Sequence, residues 1–247
     1  MQLPDCGLRL RTARYQGDGG LALVRAGDCI ENPVTGESMR FLLTGGETAG
    51  ALLRIDMSVR PAGFVAAEHV HPDQEERFQI DSGQITLRVD GHEHSYSAGD
   101  HVTIARGTPH MWWNSGEDEL RVTLDFRPAG RFADFITTFF ALAMTGKTNA
   151  RGLPRNLFQL AVTFADYREA IYGTSPPWVV QQLLFATLAP LGRLLGYRPD
   201  VPYPASTSGS HPSVRWRRTG LVPRPFSFEP VSSTRRTPGG RPRRPPR

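Results

Sequence analysis

The chain has 247 residues, 39% of them apolar and 21% charged, enough for one sizeable buried core in an ordinary globular protein. Its formal charge of +5 is unevenly spread: ten arginines against the single acid Glu229 put about nine positive charges between Arg215 and Arg247, leaving about four negative charges on residues 1–214. The body of the chain is therefore mildly acidic, which argues against a nucleic-acid-binding core, and two cysteines without ligand-like spacing, Cys6 and Cys29, argue against a disulfide scaffold or a cysteine zinc site.

Residues 1–20 are rich in Gly and Arg and carry no period, so we expect a flexible lead-in. Asp5 comes early and no apolar core follows it, so no secretory signal is expected and the chain is read as cytoplasmic. Residues 21–128 read as β-structure. Leu53, Ile55, Met57 and Val59 alternate with Arg54, Asp56 and Ser58, and we read Arg54 and Asp56 as an exposed charge pair. Phe78 and Ile80 alternate with Arg77 and Gln79; Ile85, Leu87 and Val89 alternate with Thr86, Arg88 and Asp90, after which Asp90-Gly91 marks a hairpin turn. Leu120, Val122, Leu124 and Phe126 repeat the pattern. Several half-buried strands at this spacing predict an antiparallel sandwich or barrel.

At Pro128 the period changes, and residues 129–200 read as a helical extension that covers the barrel or forms a dimer interface. Phe132, Phe135, Ile136, Phe139, Phe140 and Leu142 recur at helical spacing. A second helical stretch runs from near Pro154 to about Tyr172 with Leu157, Leu160, Ala161 and Phe164 on one face. A third follows Pro176-Pro177, with Trp178, Leu184, Phe185 and Leu188 apolar, up to Gly196. Val179 to Leu195, interrupted by Gln181, Gln182, Pro190 and Arg193, is too short and too polar to span a bilayer. Residues 201–247 are rich in Pro, Ser, Arg and Gly, a composition that predicts disorder. Contact of this Arg-rich tail with nucleic acid is a side possibility that steep salt dependence would reveal.

Two stretches carry chemistry. The first reads Gly63-x5-His69-x-His71-x4-Glu76-x6-Gly83. Positions i and i+2 of a strand share a face, so His69 and His71 project together with Val65 and Ala67. A turn at Pro72-Asp73 then brings Glu76 back on a neighbouring strand, on the face of Phe78 and Ile80. The second reads Gly99-x5-Ala105-x-Gly107-x2-His110-x3-Asn114 and adds one imidazole, with Trp112 and Asn114 on its face. Burying imidazoles and a carboxylate without partners is costly, and a divalent metal would remove that cost. Glu75, beside Glu76, falls on the outward face with Arg77. His92, His94 and His101 are read as surface residues, and Trp113 as facing outward.

Both stretches resemble the two motifs of the cupin family, G-x5-H-x-H-x3,4-E-x6-G and G-x5-P-x-G-x2-H-x3-N. The wording His69-Val-His-Pro-Asp-Gln-Glu-Glu76 and Gly107-Thr-Pro-His110 is similar to bacterial single-domain cupins, and the resemblance covers about residues 25–200. Ala105 stands where the family has Pro, which shapes a turn and ligates nothing. The resemblance implies a double-stranded β-helix, a small jelly roll. It also implies one divalent transition metal (Fe, Mn, Ni, Co, Cu or Zn) on His69, His71, Glu76 and His110, with two octahedral positions left open. Glu76 would double as a proton acceptor, and Phe78, Ile80, Trp112, Asn114 and Leu124 would line a substrate pocket.

The expected function is a metal-dependent enzyme on a small organic substrate, aromatic ones included, working by oxygen activation or Lewis-acid chemistry. The family's repertoire spans dioxygenases, polyketide cyclases, isomerases and decarboxylases. The alternative is a non-catalytic, metal-dependent small-molecule binding or sensor protein. A homodimer is expected in either case.

Overall fold

The computed structural model describes residues 24–204; the lead-in expected over residues 1–20 and all but the first four residues of the expected tail lie outside them. Ten strands come first: β1 (Cys29–Asn32), β2 (Glu37–Leu43), β3 (Leu53–Val59), β4 (His69–Val70), β5 (Glu75–Ser82), β6 (Gln84–Val89), β7 (His92–Ser97), β8 (His101–Ile104), β9 (His110–Asn114) and β10 (Leu120–Arg127). Then follow α1 (Phe132–Met144), α2 (Leu157–Asp166), the short strand β11 (Tyr172–Gly173) and α3 (Trp178–Leu194).

The strands form two antiparallel sheets, ordered β1-β2-β3-β10-β5-β8 and β11-β4-β9-β6-β7. The period-two pattern of the sequence is the reason. Met39 and Phe41 on β2, all four apolar positions of β3, Phe78 and Ile80 on β5, and Leu120, Val122, Leu124 and Phe126 on β10 are buried in one core, while the intervening residues face outward. Ile85, Leu87 and Trp112 of the second sheet pack into the same core.

The outward faces carry their own pairing. Arg54 does not pair with Asp56, as its strand pattern suggested. It holds Asp125, directly opposite on β10, with two hydrogen bonds of 2.6 and 2.8 Å. Directly opposed residues of antiparallel strands lie about 5 Å apart, closer than neighbours i and i+2 on one strand, so the cross-strand partner wins. His92, His94 and His101 are exposed, and Glu75 pairs with Arg77 on the outer face of β5.

α1 belongs to the core of the strands: Phe132, Phe135, Ile136, Phe139 and Phe140 join the same buried cluster. The second helical stretch differs from the expectation. It begins one residue after Asn156, whose side chain caps the backbone N–H groups of Phe158 and Gln159, and it ends at Asp166. Residues Tyr172 and Gly173 extend as β11 along Val70 and His69, because β4 would otherwise leave that edge of the sheet unpaired. Leu157 is 66% exposed, so it is not part of a buried stripe. α2 and α3 instead meet through small residues, Ala161, Val162, Ala189 and Gly192; a Cβ on Gly192 would lie 2.7 Å from Val162. Leu184, expected on the apolar face of α3, is likewise exposed, while Gln181 is buried and donates to the carbonyls of Gly173 and Pro176.

Gly83 is the hinge at which the chain leaves the six-stranded sheet for the five-stranded one. Its φ is +83°, and a Cβ there would stand 2.9 Å from both the carbonyl oxygen of Glu119 and Cα of Leu120. Backbone atoms cannot move aside as a side-chain tip can. Gly83→Ala is therefore expected to lower unfolding free energy by more than ~2 kcal/mol, the sum of a left-handed strain and a backbone clash, measured by urea denaturation.

Candidate metal centre and ligand cavity

His69 on β4 and His110 on β9 are directly opposed partners in the five-stranded sheet, and His71 follows β4 by one residue. Glu76 stands on β5 of the other sheet and not on a neighbouring strand, as the motif alone suggested, because the turn after His71 carries the chain across the core. The convergence is nevertheless tight: one ligand atom from each of His69, His71, Glu76 and His110 lies within 4.8 Å of the others, and all four residues are buried.

The three rings are oriented from behind. Nδ1 of His69 meets the carbonyl oxygen of Ala67 at 2.9 Å, Nδ1 of His110 meets that of Thr108 at 2.9 Å, and Nδ1 of His71 meets that of Ala170 at 2.7 Å. A carbonyl can only accept, so each Nδ1 carries the proton, and for a neutral ring the Nε2 lone pair then faces the common centre. His71 Nε2 is buried without a hydrogen-bond partner among the described residues. Such an orphan is costly in a dry interior, and a cation there would satisfy it. Three imidazole nitrogens and a carboxylate oxygen are donors that suit a divalent transition metal. The four residues fit one such ion.

Electrostatics agree with that donor set. Burial holds the pKa of His69 well below its ordinary value, with His110 and His71 adding to the effect. Burial also carries His71 down to about 4, against the opposing pull of Glu76. Burial works in the same direction on His110, but its 2.8 Å contact from Nε2 to Glu76 Oε2 and the charge of Glu76 outweigh burial and raise it. Two rings are thus neutral donors near neutrality, and the third is held toward its protonated form by the neighbouring Glu76.

A cavity of about 70 Å³ opens beside the centre, roughly five times the space that one buried water needs. His69, Glu76, Trp112 and Leu124 line it together with aromatic side chains of α1, and Ile171 and Gly173 complete the wall. Trp112 and Leu124 stand in the wall of this cavity. Phe78 and Ile80 are buried on the same inward face but are not among the residues that line this cavity. Asn114 is spent on the fold: Nδ2 donates to the carbonyls of Val59 and Asp118, and Oδ1 accepts from the N–H of Gly116.

Residues 55–126 match the model of the family described as Cupin domain. The chain carries a cupin domain. The cupin domain accounts for β3 through β10, and β1, β2 and the three helices lie outside the matched residues. The protein is similar to the tetracenomycin polyketide synthase protein TcmJ of Streptomyces glaucescens, 26% identical over 125 residues that cover 48% of this chain and 82% of that one. Among solved structures, a protein described as a predicted oxalate decarboxylase from Thermotoga maritima is 21% identical, covering 43% of this chain and 98% of that one, with a TM-score of 0.39. The structure of KdgF from Halomonas sp. is 16% identical, covering 41% and 86%, with a TM-score of 0.36.

Three contributors to the site escaped the sequence reading. The carbonyl of Ala170 and the strand β11 come from the helical region, and a backbone carbonyl leaves no signature in a residue pattern. Glu37 did leave one: it shares the period-two face of Met39 and Phe41 on β2, and an acid at a core position is a signal of function. Its side chain lines the cavity, is 5% exposed, and accepts a hydrogen bond from Thr35 Oγ1. Burial pushes its carboxyl up to about 8, the Thr35 hydroxyl offsetting a part.

Between pH 4.5 and 8 Glu37 keeps its proton in the fold and loses it in the unfolded chain, so the stability it confers is full below about 4.5 and is lost as pH rises toward 8. The limiting slope is ~1.4 kcal/mol per pH unit. Glu37→Gln removes this dependence, so urea denaturation at pH 5 and pH 8 should show the variant gaining on the wild type as pH rises, by ~2 kcal/mol or more. Parallel pH profiles for the two proteins would contradict it.

Proposed function

We propose that this cupin-domain protein is a metal-dependent enzyme acting on a small organic substrate, with His69, His71, Glu76 and His110 holding one divalent transition metal and Glu76 serving as proton acceptor. The observation that carries the reading is the buried group of four ligating atoms opening onto an apolar, aromatic-walled cavity. When bound, the metal would supply oxygen activation or Lewis-acid polarisation of a substrate oxygen.

The protein's own residues do the rest. The carbonyls of Ala67, Ala170 and Thr108 hold the three rings in the tautomer that turns Nε2 inward. The phenylalanines of α1 exclude water and so strengthen every electrostatic contact in the cavity. Glu76, whose carboxylate lines the cavity 2.8 Å from His110 Nε2, is the base within reach of a ligand there. Trp112 and Leu124 contribute shape. The likeness to a protein named for a polyketide synthase supports a polyketide-type substrate as the first to be tried. Val179, Leu183, Leu191 and Leu194 form an exposed apolar face on α3, which supports a homodimer within the same reading.

Metal analysis of untagged protein tests the centre: the wild type should carry about one equivalent, and His69→Ala with His110→Ala almost none. Iron would direct the next assay to oxygen consumption, zinc to Lewis-acid turnover; tight ligand binding without turnover would instead mark a binding or sensor protein. A wild type no richer in metal than the double variant would remove the basis of the proposal.

A second measurement follows from the proton inventory. At pH 6 His69 and His71 are already neutral and His110 is not, so uptake of Zn²⁺ should release about one proton, whereas three ordinary imidazoles would release more than two. Calorimetry in buffers of different ionisation enthalpy reads that number.

A further inference from the structure

Among the buried inward-facing residues of β2, β3, β5 and β10, all are apolar except Glu37 and Glu76. Glu76 has the imidazoles as its partners. Glu37 stands apart from them, with β3 and β10 between its strand and β5, yet it lines the same cavity. Thr35 is its one hydrogen-bonding partner among the described residues, and that hydroxyl donates to Oε2. An ionised carboxylate would be expensive in such a setting, so the group is held as the neutral acid. A neutral carboxyl has one O–H donor, and with Oε2 accepting from Thr35 the proton sits on Oε1, for which no hydrogen-bond partner is found among the described residues. A buried donor of this kind needs an acceptor that the described residues do not supply.

We propose that Glu37 is a specificity-determining residue that donates a hydrogen bond from its carboxyl to a carbonyl oxygen of the bound ligand, which makes the ligand a small aromatic molecule carrying a ketone or similar carbonyl. The aromatic part of the assignment follows from the wall, which Trp112, Phe126, Phe132, Phe135 and Phe139 line. The carbonyl part follows from the donor. A hydrocarbon of the same shape would fill the cavity but strand the Glu37 O–H, and a site with a buried polar group rejects such an analogue. The inference rests on reading the cavity as the ligand site and goes beyond the metal centre by naming what the far carboxyl recognises.

Acetophenone and α-methylstyrene test it, since they match in size and shape and differ in C=O against C=CH₂. Full-length, metal-loaded protein is titrated with each by calorimetry. The wild type should bind acetophenone about tenfold more tightly. Glu37→Gln, which keeps an N–H donor, should retain the preference; Glu37→Leu should abolish it. Should the leucine variant fail to fold, the ¹³C resonance of the Glu37 carboxyl, assigned by its absence from Glu37→Gln, should shift with acetophenone and stay in place with α-methylstyrene. A wild type that binds both probes equally or neither, a preference that survives in Glu37→Leu, or a carboxyl resonance indifferent to both probes would overturn the proposal. The readout is the loss of the preference in Glu37→Leu, which leaves His69, His71, Glu76 and His110 in place, so it stands or falls separately from the metal content of the His69 and His110 variants.

Discussion

Everything in this structure turns on the cost of keeping four polar side chains together in a dry core. Three imidazoles and a carboxylate converge within 4.8 Å, and all four residues are buried. Each ring is pinned through Nδ1 to a backbone carbonyl, which leaves three Nε2 atoms aimed at one point. Glu76 satisfies His110, and His71 Nε2 is left without a partner. An arrangement that orients its Nε2 atoms so strictly and leaves that of His71 buried without a hydrogen bond among the described residues has the character of a ligand set.

The helical region is part of that arrangement. Ala170 supplies the carbonyl that holds His71, β11 pairs with the strand that carries His69, and the phenylalanines of α1 stack from Phe126 through Phe132 toward Phe139. The aromatic row does two jobs at once. It buries apolar area that the open end of the strands would otherwise expose, and it lowers the polarity around the centre so that each charge there counts for more. Stability and chemistry draw on the same contacts.

Two acids share the inward face of one sheet and meet different fates. Glu76 is compensated by neighbouring imidazoles, one of them holding a proton against it at 2.8 Å. Glu37 has a single hydroxyl for company, and burial keeps its proton on. Environment alone separates a carboxyl met by imidazoles from a neutral hydrogen-bond donor, and both open onto one cavity.

The sequence by itself determined the inward and outward faces of the strands, the grouping of His69, His71, Glu76 and His110, and the helical period after Pro128. These are local properties: side-chain alternation and the spacing of residues along one or two strands are set by backbone geometry that the chain cannot escape. Only the tertiary structure decided what crosses between elements. It placed Glu76 on the opposite sheet from the histidines, gave Arg54 to Asp125, spent Asn114 on a turn, and drew Tyr172, the expected end of the second helix, into a strand with Gly173. It also brought Ala170 and the α1 phenylalanines to a site some sixty to a hundred residues away in sequence, an estimate of separation that no local period can encode. A contact between distant segments depends on which edge is left unpaired and which core surface is left open, and those vacancies exist only once the rest of the chain has folded.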